Sequence, residues 1–233
     1  MRVAIRGVIF GIDDVLYDAS LQKSAARLSA IKSMIEVGLP VDVETGSRVL
    51  EEIVRDSGED YNKHFDKLLE KLHLKWDPSV IAAGVVAYRE TSPVYLRPYP
   101  DAAPTLIRLR DQGYKLGVAS SGRAVKQWQK LIQMGVQHLF HSVVISEQLG
   151  LQSFQSKVLE KVLADFGVPA AESIFVGAHP EMEVAPAKQA GVHTVRLKRG
   201  NRRIAEPSQE ESRAEFEILK LSELFGVIQK LQT

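Results

Sequence analysis

Two neighbouring carboxylates, Asp13 and Asp14, directly follow an apolar run that extends from Val3 to Ile12. The run is rich in β-branched residues and has the length of a strand, which is typical of a strand buried on both faces of a parallel sheet. Ligands of open α/β sheets bind beyond the carboxyl ends of the strands, so these two acids are candidates for proton transfer or ligand binding. An acidic turn with no ligand accounts for them equally well.

A hydroxyl-rich turn follows a second apolar segment. Ser120, Ser121 and Gly122 come between the predicted strand Lys115 to Ala119 and a predicted helix that begins near Val125. Hydroxyl groups and backbone N–H groups at the start of a helix bind anions, although the same residues also form a good helix cap. We predict that these three residues bind substrate.

A third turn combines one histidine with two acids. His179, Glu181 and Glu183 follow the apolar segment Ser173 to Val176 and the glycine at position 177. These side chains are potential metal ligands. Acids in the first turn of a helix are also favoured by the helix dipole alone, so the pattern does not require a metal.

The periodicity of the chain predicts two kinds of architecture. Residues 19–92 show four helical patterns, which indicates a small helical domain inserted after the first strand. From Asp101 onward, strands alternate with helices, which predicts an α/β fold: a Rossmann-like, doubly wound parallel sheet. We therefore predict a core domain at 1–18 and 93–233 and a small α-helical cap domain at 19–92. The later predicted strands are Ser142 to Ile145, Ser173 to Val176, His193 to Leu197 and Glu217 to Leu219.

The segment Gly11-Ile12-Asp13-Asp14-Val15 resembles the first motif of the haloacid dehalogenase superfamily, and the resemblance extends over essentially the whole chain. The superfamily's usual motif is Asp-x-Asp-x-Thr after an apolar strand. The resemblance implies phosphoryl transfer or dehalogenation by an aspartate nucleophile, usually with Mg²⁺, and places Asp13 at the general acid/base position. It also implies that Ser120 donates a hydrogen bond to a phosphate oxygen.

Other residues depart from the motifs of this superfamily. The nucleophile position is Gly11, the usual lysine is Ser153, the first metal carboxylate is Ala178, and the second is the longer Glu183. Because the parts of this mechanism depend on one another, their joint loss predicts a catalytically inactive pseudoenzyme that acts as a binding or regulatory module. This interpretation predicts that the chain needs no cofactor and is not an enzyme.

An alternative is a divergent hydrolase of small phosphate esters. In this hypothesis Asp13 activates water directly, or Glu183 together with Asp14 recruits a metal. Asp13 and Glu183 are then the predicted ligands of Mg²⁺. A further alternative treats the glycine at position 11 as a deliberate substitution in an otherwise active protein, but it leaves Ser153 and Ala178 unexplained.

The overall composition narrows the classes of partner. The formal net charge is +1, and there is no cysteine and no apolar run of membrane-spanning length. We therefore expect a cytoplasmic protein with no nucleic-acid or membrane partner. Its partner is expected to be a protein or a phosphorylated small molecule. The basic run Arg196 to Arg203 is either a surface for an acidic partner or a solvated loop.

Overall fold

The structure is a computed structural model that describes residues 4–233, apart from the side chains of residues 201 and 202. Val3, the start of the predicted first strand, lies outside the described residues. A six-stranded parallel sheet runs through the described chain in the order β3-β2-β1-β4-β5-β6. This arrangement confirms the predicted α/β fold of the Rossmann-like, doubly wound type. The strands are β1 (Gly7–Phe10), β2 (Lys115–Ser120), β3 (Ser142–Ile145), β4 (Ser173–Gly177), β5 (His193–Leu197) and β6 (Phe216–Ile218).

Helices connect the strands and also form the segment that follows β1. The α-helices of the described chain are α1 (Ala19–Glu36), α2 (Val43–Ser57), α3 (His64–Lys71), α4 (Pro78–Tyr95), α5 (Ala102–Asp111), α6 (Ala124–Gln133), α7 (Ser156–Phe166), α8 (Ala185–Gln189) and α9 (Leu224–Gln232). The helix α4 contains Pro93 and continues beyond it to Tyr95. A proline near the last turn removes one backbone donor but does not prevent the helix from continuing.

The described chain divides into two compact units, one formed by 4–20 and 97–233 and the other by 21–96. The predicted assignment of a core domain and a cap domain stays a prediction. In the second unit, an apolar cluster that includes Ile31, Leu50 and Leu68 joins the helices α1 to α3. No helix of the described residues has both the length and the apolar character needed to cross a membrane.

Small residues in the sheet of the first unit let the helix α7 approach closely. A β-carbon on Gly117 would lie 2.6 Å from Cγ1 of Val162 and 2.7 Å from Cζ of Phe166. Both partners are buried, together with Phe175 and Ile9, in one apolar cluster. This packing fixes the positions of β1, β2 and β4, and therefore the positions of the loops that leave their carboxyl ends.

Candidate active site

The strand order reverses at β1, and this position is where doubly wound sheets bind ligands. Phe10 is in register with Val118 of β2 and with Val176 of β4. The amide of Gly11 extends the pairing by donating to the carbonyl of Val176 at 2.9 Å. The loops that carry Asp13, Ser120 and Glu183 therefore leave the sheet at one edge.

Asp13 lies in a polar cluster that sequence reasoning did not predict. Its Oδ1 accepts a hydrogen bond from Nζ of Lys130 at 2.6 Å and another from the hydroxyl of Tyr17 at 3.0 Å. The Asp13 side chain is 33% exposed, whereas that of Lys130 is 17% exposed. The carboxylate is thus oriented by two donors and remains accessible to a substrate, which suits a group that exchanges protons.

Asp14 has a different environment from its neighbour. It adopts a left-handed backbone conformation with φ 59°, and its side chain is buried. Its two carboxylate oxygens accept hydrogen bonds from the amide and the hydroxyl of Ser20, each at 3.0 Å, at the start of α1. Burial raises the pKa of this carboxyl, and the hydrogen bonds from Ser20 partly oppose the shift. Asp14 therefore stabilises the turn into α1.

Glu183 is positioned by a wide helical turn, Pro180–Val184, in which the amide of Val184 donates to the carbonyl of His179. Its Oε2 accepts hydrogen bonds from the amides of Ala178 at 2.7 Å and of His179 at 2.8 Å. Such a single π-helical turn often occurs at functional sites. Its backbone amides fix the orientation of the Glu183 carboxyl group.

The Glu183 side chain occupies space left by two glycines. A β-carbon on Gly11 would lie 2.9 Å from Oε1 of Glu183, and one on Gly177 would lie 3.2 Å from its Cβ. Burial raises the pKa of Glu183 to about 7, and the charges of Asp13 and Asp14 add to the shift, whereas its hydrogen bonds from backbone amides lower it. A carboxyl group therefore lies beside position 11 although residue 11 has no side chain.

The predicted substrate-binding turn follows β2 at the same edge. Ser120 is buried, and its hydroxyl makes a long contact of 3.4 Å with the carbonyl of Ser121. The amide of Gly122 donates to Oγ of Ser146 at 3.3 Å, and the carbonyl of Ser121 accepts from Gln127 at 2.9 Å. These contacts hold the turn in place, and a role in substrate binding stays a prediction.

The position of the usual lysine, Ser153, is exposed, and so is the nearby Lys157. The lysine that contacts the site is Lys130 in α6. It follows the buried Gln127 by one turn and precedes the buried Leu131. Lys130 could have been noticed in the sequence because it lies on the inward-facing side of its helix. A lysine in such a position is usually paired with an acid.

The basic run after β5 makes mostly internal contacts in the part that the structure describes. Arg196 is buried and donates to the carbonyl of Ala178 at 3.4 Å and to Glu217 at 3.2 Å. Arg199 makes a bidentate pair with Asp101, at 2.8 and 2.6 Å. These contacts favour a structural role for the run, and the acidic partner stays a prediction.

The fold and the arrangement of strand-end loops are those of the haloacid dehalogenase-like family. A family model described as haloacid dehalogenase-like hydrolase matches residues 8–197, so the chain belongs to this family.

Two relatives named glyceraldehyde 3-phosphate phosphatase are similar over nearly the whole chain. The one from Methanopyrus kandleri is 42% identical, covering 97% of this chain and 98% of the relative. The one from Methanocaldococcus jannaschii is 36% identical, covering 98% and 99%. These relatives contradict the predictions that the chain is an inactive pseudoenzyme and that it is not an enzyme. Reading the motifs position by position missed that the carboxyl of Glu183 lies beside Gly11.

A solved structure relates to the predicted cofactor. The HAD-hydrolase YfnB from Bacillus subtilis, solved bound to magnesium, has a TM-score of 0.68 at 19% identity and covers 97% of this chain and 99% of its own. The expectation that no cofactor is needed is not supported, because the chain belongs to the haloacid dehalogenase-like hydrolase family and is similar to named phosphatases. The described residues of this chain nevertheless contain no group of three His, Cys, Asp or Glu side chains that could hold a metal. The ammonium of Lys130 against Asp13 also disfavours a cation there, so these residues do not fit a magnesium site built from several carboxylates.

Proposed function

We propose that this protein hydrolyses small phosphate monoesters, with glyceraldehyde 3-phosphate as the first substrate to test. The observation that carries the proposal is the direct contact of the Lys130 ammonium with the Asp13 carboxylate, 2.6 Å apart, beside the strand-order reversal of the sheet. This pair offers a cation for a phosphate and an acid/base group for its reaction in one place. The names of the two relatives support the choice of substrate.

In the proposed reaction, Lys130 neutralises charge on the phosphate and Ser120 donates a hydrogen bond to it. The role of Lys130 follows from charge, because an ammonium is a compact partner for a phosphate. The hydroxyl of Tyr17 holds Asp13 in one orientation. Asp13 and Lys130, which share a short hydrogen bond, hold and move the proton that hydrolysis transfers from water to the leaving alcohol.

The proposal is tested by incubating the full chain with glyceraldehyde 3-phosphate and measuring the release of inorganic phosphate. The assay is run with added Mg²⁺ and with EDTA, so that metal dependence is measured separately from turnover. We expect the wild type to release phosphate. Glycerol phosphates, phosphoserine and p-nitrophenyl phosphate define the substrate range.

The matched controls are Asp13→Asn and Lys157→Met. We expect the first substitution to abolish most of the phosphate release and the second to leave it unchanged, because Lys157 is exposed. Phosphate release that is equal in wild type and Asp13→Asn would indicate a contaminating phosphatase. Absence of release from every substrate, with and without Mg²⁺, would overturn the proposed function. A protein partner and a cytoplasmic location stay predictions.

A further inference from the structure

Position 11 has a glycine because a side chain there would lack space, and not because the backbone conformation requires a glycine. Gly11 does not have a positive φ, so its backbone allows a side chain. A β-carbon there would lie only 2.9 Å from Oε1 of Glu183 and 3.3 Å from Cγ2 of Val15. A β-carbon on Gly177, on the neighbouring strand, would first meet Cε1 of Phe175 at 2.6 Å and would lie 3.2 Å from the Cβ of Glu183. The end of β1 at Gly11 therefore leaves room for the Glu183 carboxyl group.

The two oxygens of the Glu183 carboxyl have different surroundings. Oε2 accepts from the amides of Ala178 and His179, and Oε1 is the oxygen that lies beside Gly11. The two N–H groups leave Glu183 little freedom to rotate, which keeps Oε1 beside the end of β1. The first side-chain atom of any other residue at position 11 would contact this oxygen.

We propose that Glu183 is the attacking carboxylate. Its side chain extends from the loop after β4, and its Oε1 lies beside Gly11, in the place that a side chain of β1 would otherwise fill. This inference rests on the proposed function and deepens it, because it names the group that attacks the phosphate. It makes Glu183 a catalytic residue rather than a metal ligand.

The reaction has two steps, formation of a glutamyl phosphate and its hydrolysis. Oε1 of ionised Glu183 forms a bond to phosphorus while the bond from phosphorus to the ester oxygen breaks, and Lys130 gives a proton to the leaving alkoxide. Water then attacks phosphorus of the glutamyl phosphate, which releases the Glu183 carboxylate and inorganic phosphate. Asp13 accepts the proton from that water and returns it to Lys130 across their hydrogen bond. No oxidant or reductant is needed.

The first test locates the adduct. The full chain is mixed with radiolabelled glyceraldehyde 3-phosphate, quenched with acid during turnover, and digested for peptide mass spectrometry. We expect a hydroxylamine-sensitive phosphoryl group on Glu183. The conservative variant Glu183→Gln keeps an oxygen acceptor for the two backbone amides, and we expect it to lose at least about 10³-fold in kcat, as nucleophile variants do.

The outcomes separate this inference from the proposed function. Turnover by the wild type with a label on another residue, with no adduct, or with full activity in Glu183→Gln would overturn the inference and leave the proposed function standing. Absence of turnover by the wild type would overturn the proposed function and the inference with it. Thermal unfolding of each variant shows whether a loss of activity reflects a loss of fold.

A second test moves the carboxylate back to β1. Gly11→Asp alone is expected to be inactive, because its β-carbon meets Oε1 of Glu183. Combining Gly11→Asp with Glu183→Ala removes this clash, and we expect at least about tenfold more activity than in Glu183→Ala alone, with the label on residue 11. A double variant that is folded and no more active than Glu183→Ala would contradict the proposed equivalence of the two positions.

Discussion

The loop after β1 and the loop after β4 both carry acidic residues, but they differ in where those side chains lie. The first loop carries Asp13 and Asp14 and begins at a glycine with no side chain. The second has lost a carboxylate at Ala178 but carries Glu183, whose oxygen lies against that glycine. A carboxyl group is missing at the end of β1, and the longer side chain of Glu183, from the loop after β4, places a carboxyl group beside that position.

The two loops also differ in how their acids are stabilised. Asp13 is paired with a cation and partly exposed, whereas Glu183 accepts two backbone N–H groups. Burial raises the pKa values of Asp14 and Glu183. The two loops thus carry one carboxylate that is paired with Lys130 and one carboxyl group whose pKa is about 7. Two carboxyl groups in such different environments can divide the acid and base roles of a reaction.

The difference between the two acids of the first loop is tested most strongly by two separate variants, Asp13→Asn and Asp14→Asn. Asp13→Asn removes the group that exchanges protons, so we expect kcat to fall by about 10²- to 10³-fold. Asp14→Asn keeps a side chain that tolerates the left-handed conformation and still accepts a hydrogen bond from Ser20, so we expect kcat within about threefold of wild type. Steady-state phosphate release by both purified variants measures the difference.

Equal losses in these two variants would contradict the assignment of Asp14 to a structural role. Thermal unfolding provides the control, because a catalytic loss without a change of the melting temperature separates chemistry from folding.

A second prediction tests Lys130 as the cation of the site. Lys130→Met keeps the length of the side chain but removes the charge, and we expect kcat/KM to fall by about 10- to 100-fold, the value of one or two hydrogen bonds to a charged group. The loss should appear in kcat as well as in KM, because Lys130 both binds the phosphate and gives a proton to the leaving alkoxide. Lys157→Met, the exposed matched control, should behave as wild type. A normal KM in Lys130→Met would show that phosphate binds elsewhere.

The fold could be predicted from the sequence, whereas only part of the site could. The predicted strands Ser142 to Ile145 and His193 to Leu197 have the bounds that the structure shows. Apolar runs and glycine punctuation are local properties of the chain, so their pattern fixes the elements. The contact of Lys130 with Asp13 joins residues 117 positions apart and has no local pattern. The contact of Glu183 with Gly11 likewise depends on how two strands pair.

A third prediction concerns stability and pH. Burial raises the pKa of Glu183 from its ordinary value of 4.5 to about 7, so the folded state holds a proton that the unfolded state has lost between these values. The stabilisation is therefore complete below about pH 4.5 and is lost as pH rises through about 7. Glu183→Gln cannot titrate, and we expect it to gain on the order of 3 kcal/mol relative to wild type between pH 4.5 and 8.

Urea unfolding of both proteins at several pH values measures this difference. The charges of Asp13 and Asp14 help to raise the pKa of Glu183, and the pKa of Asp14 is itself raised. The same series with Asp14→Asn therefore separates the contribution of the second raised carboxyl. A wild type whose stability relative to Glu183→Gln does not change with pH would contradict the raised pKa.

The smallest expected effect comes from Glu181, which lies in the same turn as Glu183 but faces a different partner. Its Oε1 accepts a hydrogen bond from the amide of Ser208 at 2.9 Å, and this bond lowers its pKa. A lowered pKa stabilises the fold above the unfolded value and loses that effect as pH falls through the folded value, which is the opposite sign to Glu183. Because Glu181 is exposed, we expect Glu181→Gln to cost less than about 0.5 kcal/mol at pH 7 and to leave kcat unchanged. Urea unfolding at pH 7 and pH 3.5 checks the sign, and a large loss of phosphate release in this variant would mean that the turn carries two reactive glutamates rather than one.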